Sequence, residues 1–254
     1  MASNPPARCC TIGVKHDGES TGTKFKITGT NIEAYSAEPK GDNVHKDSAI
    51  IIIPDVLGIW QNSELITDQF AANGYYTVML DPFNGDPIPL NRPEGFDFMA
   101  WLTKGSTGDN PHTTEQVDPI VEATIKYVRD KGFKKVGAVG YCFGAKYVMR
   151  YLAKGKGLDV GYSAHPSFVT EEELAAITGP VSISAAETDQ IFTTELRHKS
   201  EIILKDTKLP YQINLYGGVS HGFAVRGDLS NPIEKFSKEQ AFIQAVTWFD
   251  EHLA

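Results

Sequence analysis

A cysteine set between two glycines, Gly140-Tyr141-Cys142-Phe143-Gly144, closes a run of small apolar residues, VGAV at 136–139, and precedes a helical pattern, AKYVMRYLAK at 145–154. This is the spacing of a nucleophile held on a sharp strand-to-helix turn, with cysteine where serine is commoner. The turn is strained, and residues two positions either side of the nucleophile meet the neighbouring strand and helix, so only small ones fit. The following helix points its amino end at the sulfur, which favours thiolate over thiol. Such a nucleophile needs an acid and then a histidine, each after a later strand. Asp189 lies in ETDQ (187–190) and His221 in VSHGF (219–223), each just past an apolar run and in that order. Taken singly, Cys142 fits a buried structural thiol, Asp189 a helix cap and His221 a surface loop; the ordered set fits a nucleophile, base and orienting acid. In those roles Cys142 attacks an acyl carbon and forms a thioester, His221 moves the protons, and Asp189 fixes the imidazole tautomer. Glu187 is the alternative acid, closer to the strand. The developing oxyanion requires preorganised donors: the backbone N–H of Phe143, and one from the loop at 55–58.

These residues need a scaffold that brings strand ends together. AIIIIPD (49–55), GYYTVMLDP (74–82), KKVGAVG (134–140), LDVGYSAH (158–165), VSISAAE (181–187) and the weaker YQINLYGG (211–218) read as buried strands. Helical patterns alternate with them. Asn62 is positioned to cap a helix carrying Ile66 and Phe70. Val117, Ile120, Val121, Ile125 and Val128 share one helical face, with Gly132 beyond it. Ser237 and Gln240 are spaced as a capping box for a last helix. Residues 24–28 and 31–37 read as an antiparallel hairpin around Gly29-Thr30. The alternation implies an α/β fold: one domain over 1–254, a mostly parallel sheet flanked by helices, and a short antiparallel hairpin at the start. Residues 1–22 are polar and turn-rich and read as an N-terminal arm.

Composition narrows the function. The chain has 254 residues, a net charge of −8 and a pI near 5.4, which is the opposite of a nucleic-acid-binding footprint. Three cysteines, two of them the adjacent Cys9 and Cys10, make a poor disulfide framework and suit a reducing compartment. The amino terminus lacks the apolar core of a secretory signal, and the longest aliphatic run, 49–53, is too short to cross a bilayer. The expectation is a cytoplasmic protein, monomer or homodimer, acting on a small molecule rather than on nucleic acid or membrane. The histidines show no metal-ligand spacing, and the glycines form neither dinucleotide nor P-loop motifs, so no metal and no cofactor are expected. Trp60, Phe83, Tyr141 and Trp101 lie near strand ends, where they wall an acyl pocket or simply fill core. His165 follows a strand and is a candidate to face the cleft.

PDVLGIW (54–60), GYCFGAKY (140–147), ETDQIF (187–192) and GVSHGFAVRGD (218–228, with Gly217 before it) resemble the dienelactone hydrolase family of α/β-hydrolases. CCTIGVKHDGESTG (9–22) and SAHPSFV (163–169) resemble its eukaryotic, especially fungal, branch. The resemblance implies a cofactor-free cysteine hydrolase of small lactones or esters, of the carboxymethylenebutenolidase type, using a Cys142-His221-Asp189 triad. It implies that the Val56 N–H completes the oxyanion hole and that Asp55 interacts with the resting nucleophile. It also implies arginines for a substrate carboxylate, for which Arg226 and Arg92 are the candidates, although Arg226 stands one residue late. The same thioester would equally serve acyl transfer to a carbon or amine nucleophile, and a silent ligand-binding scaffold is the non-enzymatic alternative.

Overall fold

The computed structural model describes residues 1–41 and 43–253. Eight strands form one sheet: β1 (Thr23–Lys26), β2 (Glu33–Ala37), β3 (Ser48–Ile53), β4 (Tyr76–Leu80), β5 (Lys135–Tyr141), β6 (Val160–Ala164), β7 (Val181–Thr188) and β8 (Tyr211–Ser220). Their spatial order is β1-β2-β4-β3-β5-β6-β7-β8. β1 pairs antiparallel with β2, and β2 antiparallel with β4; every pairing from β4 to β8 is parallel. Helices α1 (Gln61–Ala72), α2 (Phe98–Lys104), α3 (Thr114–Asp130), α4 (Gly144–Tyr151), α5 (Glu171–Ala175), α6 (Thr194–Thr207), α7 (Phe223–Arg226) and α8 (Pro232–His252) connect and cover them. The sheet divides the interior in two: Ile51 and Ile53 join one apolar cluster, Ile50 and Ile52 the other. Burial on both faces is why β3 reads as an unbroken aliphatic run instead of an alternating one.

Two helix starts differ from the sequence pattern. α8 begins at Pro232, where the Asn231 side chain accepts from the Ile233 N–H at 3.0 Å. Asn before Pro is a cap followed by a residue with no donor to satisfy, and it outcompetes Ser237, which lies buried inside the helix. α1 starts with Trp60 at the cap position, and Ser63 Oγ accepts from the Trp60 N–H at 3.0 Å. Asn62 is thereby freed for a tertiary role: it accepts from the His16 N–H at 2.8 Å and donates to the carbonyls of Val14 and Val225.

The first 22 residues are not a loose arm. The N–H groups of Ala2 and Ser3 donate to the Val169 carbonyl, and the N–H of Asn91 donates to the Thr11 carbonyl at 2.7 Å. The Val14 N–H donates to Arg226 O at 3.0 Å. The segment therefore lies pinned across the carboxyl ends of the strands, with Cys10 wholly buried on the short 3-10 turn Arg8–Thr11. Among the described residues, no helix is long and apolar enough to cross a membrane.

Candidate active site

Cys142 sits between β5 and α4 with φ of +49°, in the left-handed region that a side chain adopts only under constraint. The flanking glycines are required sterically. A Cβ on Gly144 would lie 2.0 Å from the Ile53 carbonyl oxygen, and one on Gly140 2.7 Å from the backbone of Ala145. The elbow is fixed by the Cys142 N–H donating to Ala164 O at 3.1 Å and by Ser167 N–H donating to Cys142 O at 3.1 Å.

His221 follows β8 and Asp189 follows β7, and parallel pairing of the two strands brings them together. His221 Nδ1 lies 2.9 Å from Asp189 Oδ2, while Asp189 Oδ1 accepts from the N–H groups of Ile191 and Phe192 at 2.8 and 3.0 Å. Burial alone would raise the Asp189 carboxyl, but the facing imidazole and these two amides hold it below the ordinary carboxylate range. Burial likewise opposes charge on His221, yet Cys142 and Asp189 together push it up to about 10. Burial would raise the Cys142 thiol too; the Cys10 hydrogen bond, His221 and Arg226 bring it well below its usual value. The arrangement favours a thiolate–imidazolium pair. Glu187, the alternative acid, is exposed and accepts from the Gly218 N–H at 2.7 Å, away from the histidine.

The sulfur's unexpected neighbour is Cys10. The two Sγ atoms are 3.3 Å apart, and Cys10 Sγ is 3.5 Å from His221 Nε2. Burial and the adjoining thiols hold Cys10 protonated, so it is the S–H of Cys10 that faces an ionised Cys142. Nothing in the spacing of the chain announces this contact; the available signal was a cysteine doublet opening an apolar patch, CCTIGV, inside an otherwise polar stretch.

Among the described residues Asp55 makes no hydrogen bond to the nucleophile, although Cys142 is close enough to act on its carboxyl electrostatically. Its Oδ2 is ion-paired with Arg226 Nη1, and its Oδ1 accepts from the Leu57 N–H at 3.1 Å. Burial nevertheless pushes Asp55 up to about 6 against the pull of Arg226. Arg226 in turn is no free anion clamp: its Nε donates to Ile12 O at 3.0 Å and its Nη2 to Cys9 O at 3.1 Å. Gly13 and Gly222 make room for it, since a Cβ on either would come within 2.7 Å of its side chain. The guanidinium thus ties the loop after β3 to the N-terminal segment.

Arg92 is different. It is 6% exposed, stands over the rings of Phe96 and Phe98 at 5.0 and 5.7 Å, and its Nη1 has no hydrogen-bond partner among the described residues. Cys9 and Cys10 are close enough to act on it electrostatically. Val56 and Phe143 are wholly buried, and among the described residues neither amide donates a hydrogen bond to another group. His165 does not line the cleft: it is fully buried with φ of +41°, its ring packs edge-on to His221 at 4.9 Å, and burial followed by the nearby positive charges keeps it neutral. Tyr141 is buried behind it, and burial raises its hydroxyl. Phe83 and Trp101 pack with Phe143 and His112 as core. Trp60 is half-buried, bridging both apolar clusters, and its indole N–H has no hydrogen-bond partner among the described residues. A cavity of about 750 Å³ opens beside the site, lined among others by Cys9, Ile12, His221, Phe223 and Arg226. Cys142 does not line it; the Cys9–Cys10 turn lies between.

Comparison with known proteins places the chain in a family. The profile described as Dienelactone hydrolase family matches residues 32–253. The hydrolase pyvD of Aspergillus violaceofuscus and the hydrolase tropI of Talaromyces stipitatus are each 47% identical, over 100% of this chain and 99% of theirs. Dienlactone hydrolase 1 of Gibberella moniliformis is 35% identical over 100% of this chain and 97% of its own. Among solved structures, the dienelactone hydrolase-like promiscuous phosphotriesterase P91 from metagenomic libraries superposes with a TM-score of 0.67 at 14% identity, covering 91% of this chain and 97% of that one. At that identity the likeness shows the fold.

Proposed function

The chain belongs to the dienelactone hydrolase family and is a hydrolase of lactone or ester bonds, and from that premise we propose that it works through a thioester on Cys142, with His221 and Asp189 as its partners. The observation that carries this reading is the buried Asp189–His221 contact at 2.9 Å beside a cysteine on a left-handed elbow. Cys142 thiolate attacks the acyl carbon, and the imidazolium of His221 gives its proton to the departing alkoxide or enolate oxygen. His221, now neutral, takes a proton from water, and the hydroxide so formed releases the acid and restores the thiolate. The unpaired amides of Val56 and Phe143 supply the oxyanion hole; a buried N–H without a partner is costly, and the developing oxyanion provides one. Arg92, a buried cation with an unused donor, holds a carboxylate or carbonyl of the substrate. Trp60 contributes an apolar wall.

Because Cys10 covers Cys142, productive binding requires the turn at residues 8–11 to shift. This reading suits a reducing, cytoplasmic setting, since both sulfurs must stay free. One chain holds every group invoked, so monomer and homodimer serve equally. A second reading has one observation in its favour: Cys142 is 0% exposed, and a water-poor thioester is open to interception by a carbon or amine nucleophile. Product analysis with such an acceptor present separates transfer from hydrolysis. The primary test is steady-state turnover of a lactone and p-nitrophenyl ester panel by wild type and Cys142→Ala. Turnover is expected to vanish in the variant; full retention would sink the mechanism.

A further inference from the structure

The proposed mechanism uses Cys142, His221 and Asp189 and has no task for Cys10, yet Cys10 lies against both Cys142 and His221. Cys10, Cys142 and His221 are all buried, and their two sulfurs and one ring nitrogen lie within 4.8 Å of one another. They come from three separate places: the 3-10 turn, the elbow and the end of β8. The spacings are 3.3 Å between sulfurs and 3.5 Å from Cys10 Sγ to His221 Nε2. A tetrahedral zinc ion with bonds of about 2.3 Å to sulfur and 2.0–2.1 Å to nitrogen would set those spacings at about 3.8 and 3.5 Å. The third spacing, Cys142 Sγ to His221 Nε2, lies within 4.8 Å, so that edge closes by at most about 1.3 Å to reach about 3.5 Å.

We propose that Cys10, Cys142 and His221 form a three-ligand site for a thiophilic divalent cation of the zinc(II) class, and that occupancy takes the nucleophile and base out of catalysis together. Binding forms two metal–sulfur bonds and one metal–nitrogen bond and expels the protons those atoms carried to solvent. Two thiolates and a neutral imidazole cancel the charge of the ion, so a buried pocket receives no net charge. The remaining ring nitrogen already contacts Asp189 at 2.9 Å, the carboxylate–histidine–metal arrangement that orients a ligand histidine. Three protein ligands leave a fourth position for water, and the adjacent cavity, lined by Cys9 and His221, gives an entry path. The inhibitory consequence rests on the proposed function; the binding itself does not.

The test uses full-length protein, reduced with a phosphine and freed of metal, titrated with cobalt(II) and then zinc(II). Wild type is expected to bind one ion per chain with a thiolate-to-cobalt charge-transfer band that zinc abolishes. Cys10→Ser and Cys142→Ser should each lose affinity by more than the roughly 10–100-fold that removal of an outer-shell partner costs. Cys9→Ser should keep the band. Circular dichroism of each variant separates lost binding from lost fold. No charge-transfer band in reduced wild type, or equal affinity in Cys10→Ser, overturns the site. Ester turnover followed in the same titration separates the two claims. Binding with unchanged turnover would keep the metal site and sink Cys142 as nucleophile. Absence of binding with turnover abolished in Cys142→Ser would keep the nucleophile and sink the metal site.

Discussion

Asp189 and Asp55 are matched in position and opposed in use. Each follows a parallel strand, Asp55 after β3, next to the β5 strand that leads into Cys142, and Asp189 after β7, two strands from β5; each is buried, and each faces a basic side chain: His221 for Asp189, Arg226 for Asp55. Asp189 adds two backbone amides, which hold it as a carboxylate in spite of burial. Asp55 has one amide and a guanidinium, and burial still pushes it up to about 6. The basic partner decides what each pair can do. A guanidinium keeps its proton, so Asp55–Arg226 is a fixed tie between the loop after β3 and the N-terminal segment. An imidazole exchanges its proton, so Asp189–His221 can relay one.

The comparison is sharpest where the two acids are changed alike. Cys142→Ala should lower kcat/KM by about 10⁴–10⁶-fold in ester assays. Asp189→Asn should lower kcat by about 10⁴-fold, because the amide favours the wrong tautomer. Asp55→Asn should cost at most about 10²-fold, the scale of a displaced loop. Equal losses in the two Asn variants would erase the distinction between relay and tie. Removing the guanidinium should act on stability instead: Arg226→Met leaves a buried carboxylate alone, and chemical denaturation should show a loss of about 3–5 kcal/mol. The double change Asp55→Leu with Arg226→Met should recover part of it.

Two pH effects follow. Cys142 is lowered well below its usual value and His221 raised to about 10, so the ion pair should persist between those limits. Thiolate absorbance of wild type minus Cys142→Ser should therefore remain at neutral pH, and His221→Gln should move its midpoint upward. The smallest expected effect belongs to Asp55. Its folded value of about 6 stands above the unfolded 3.8, so the folded state binds the extra proton and this group's contribution falls as pH rises from about 4 to 6. Melting temperatures of wild type relative to Asp55→Asn, followed across that window, should fall with rising pH.

The sheet was legible because its central strands are buried on both faces and announce it: residues 49–53 are aliphatic throughout and 0% exposed. The elbow was legible because its glycines answer to hard contacts with Ile53 and Ala145. Partnerships across the chain were not. Cys10 meets Cys142 across 132 positions, and Arg226 is spent on Asp55 and two N-terminal carbonyls; neither leaves a periodicity or local spacing to read. Asn62 misled because a capping residue and a buried tertiary anchor share one chemistry, and only the surroundings select between them.

The most direct measurement is rapid-quench intact mass of wild type mixed with p-nitrophenyl acetate, with the modified peptide identified. The account predicts one acetyl group on Cys142 that appears before, and decays with, release of acetate. Turnover without an adduct, or an adduct confined to Cys10, would contradict it.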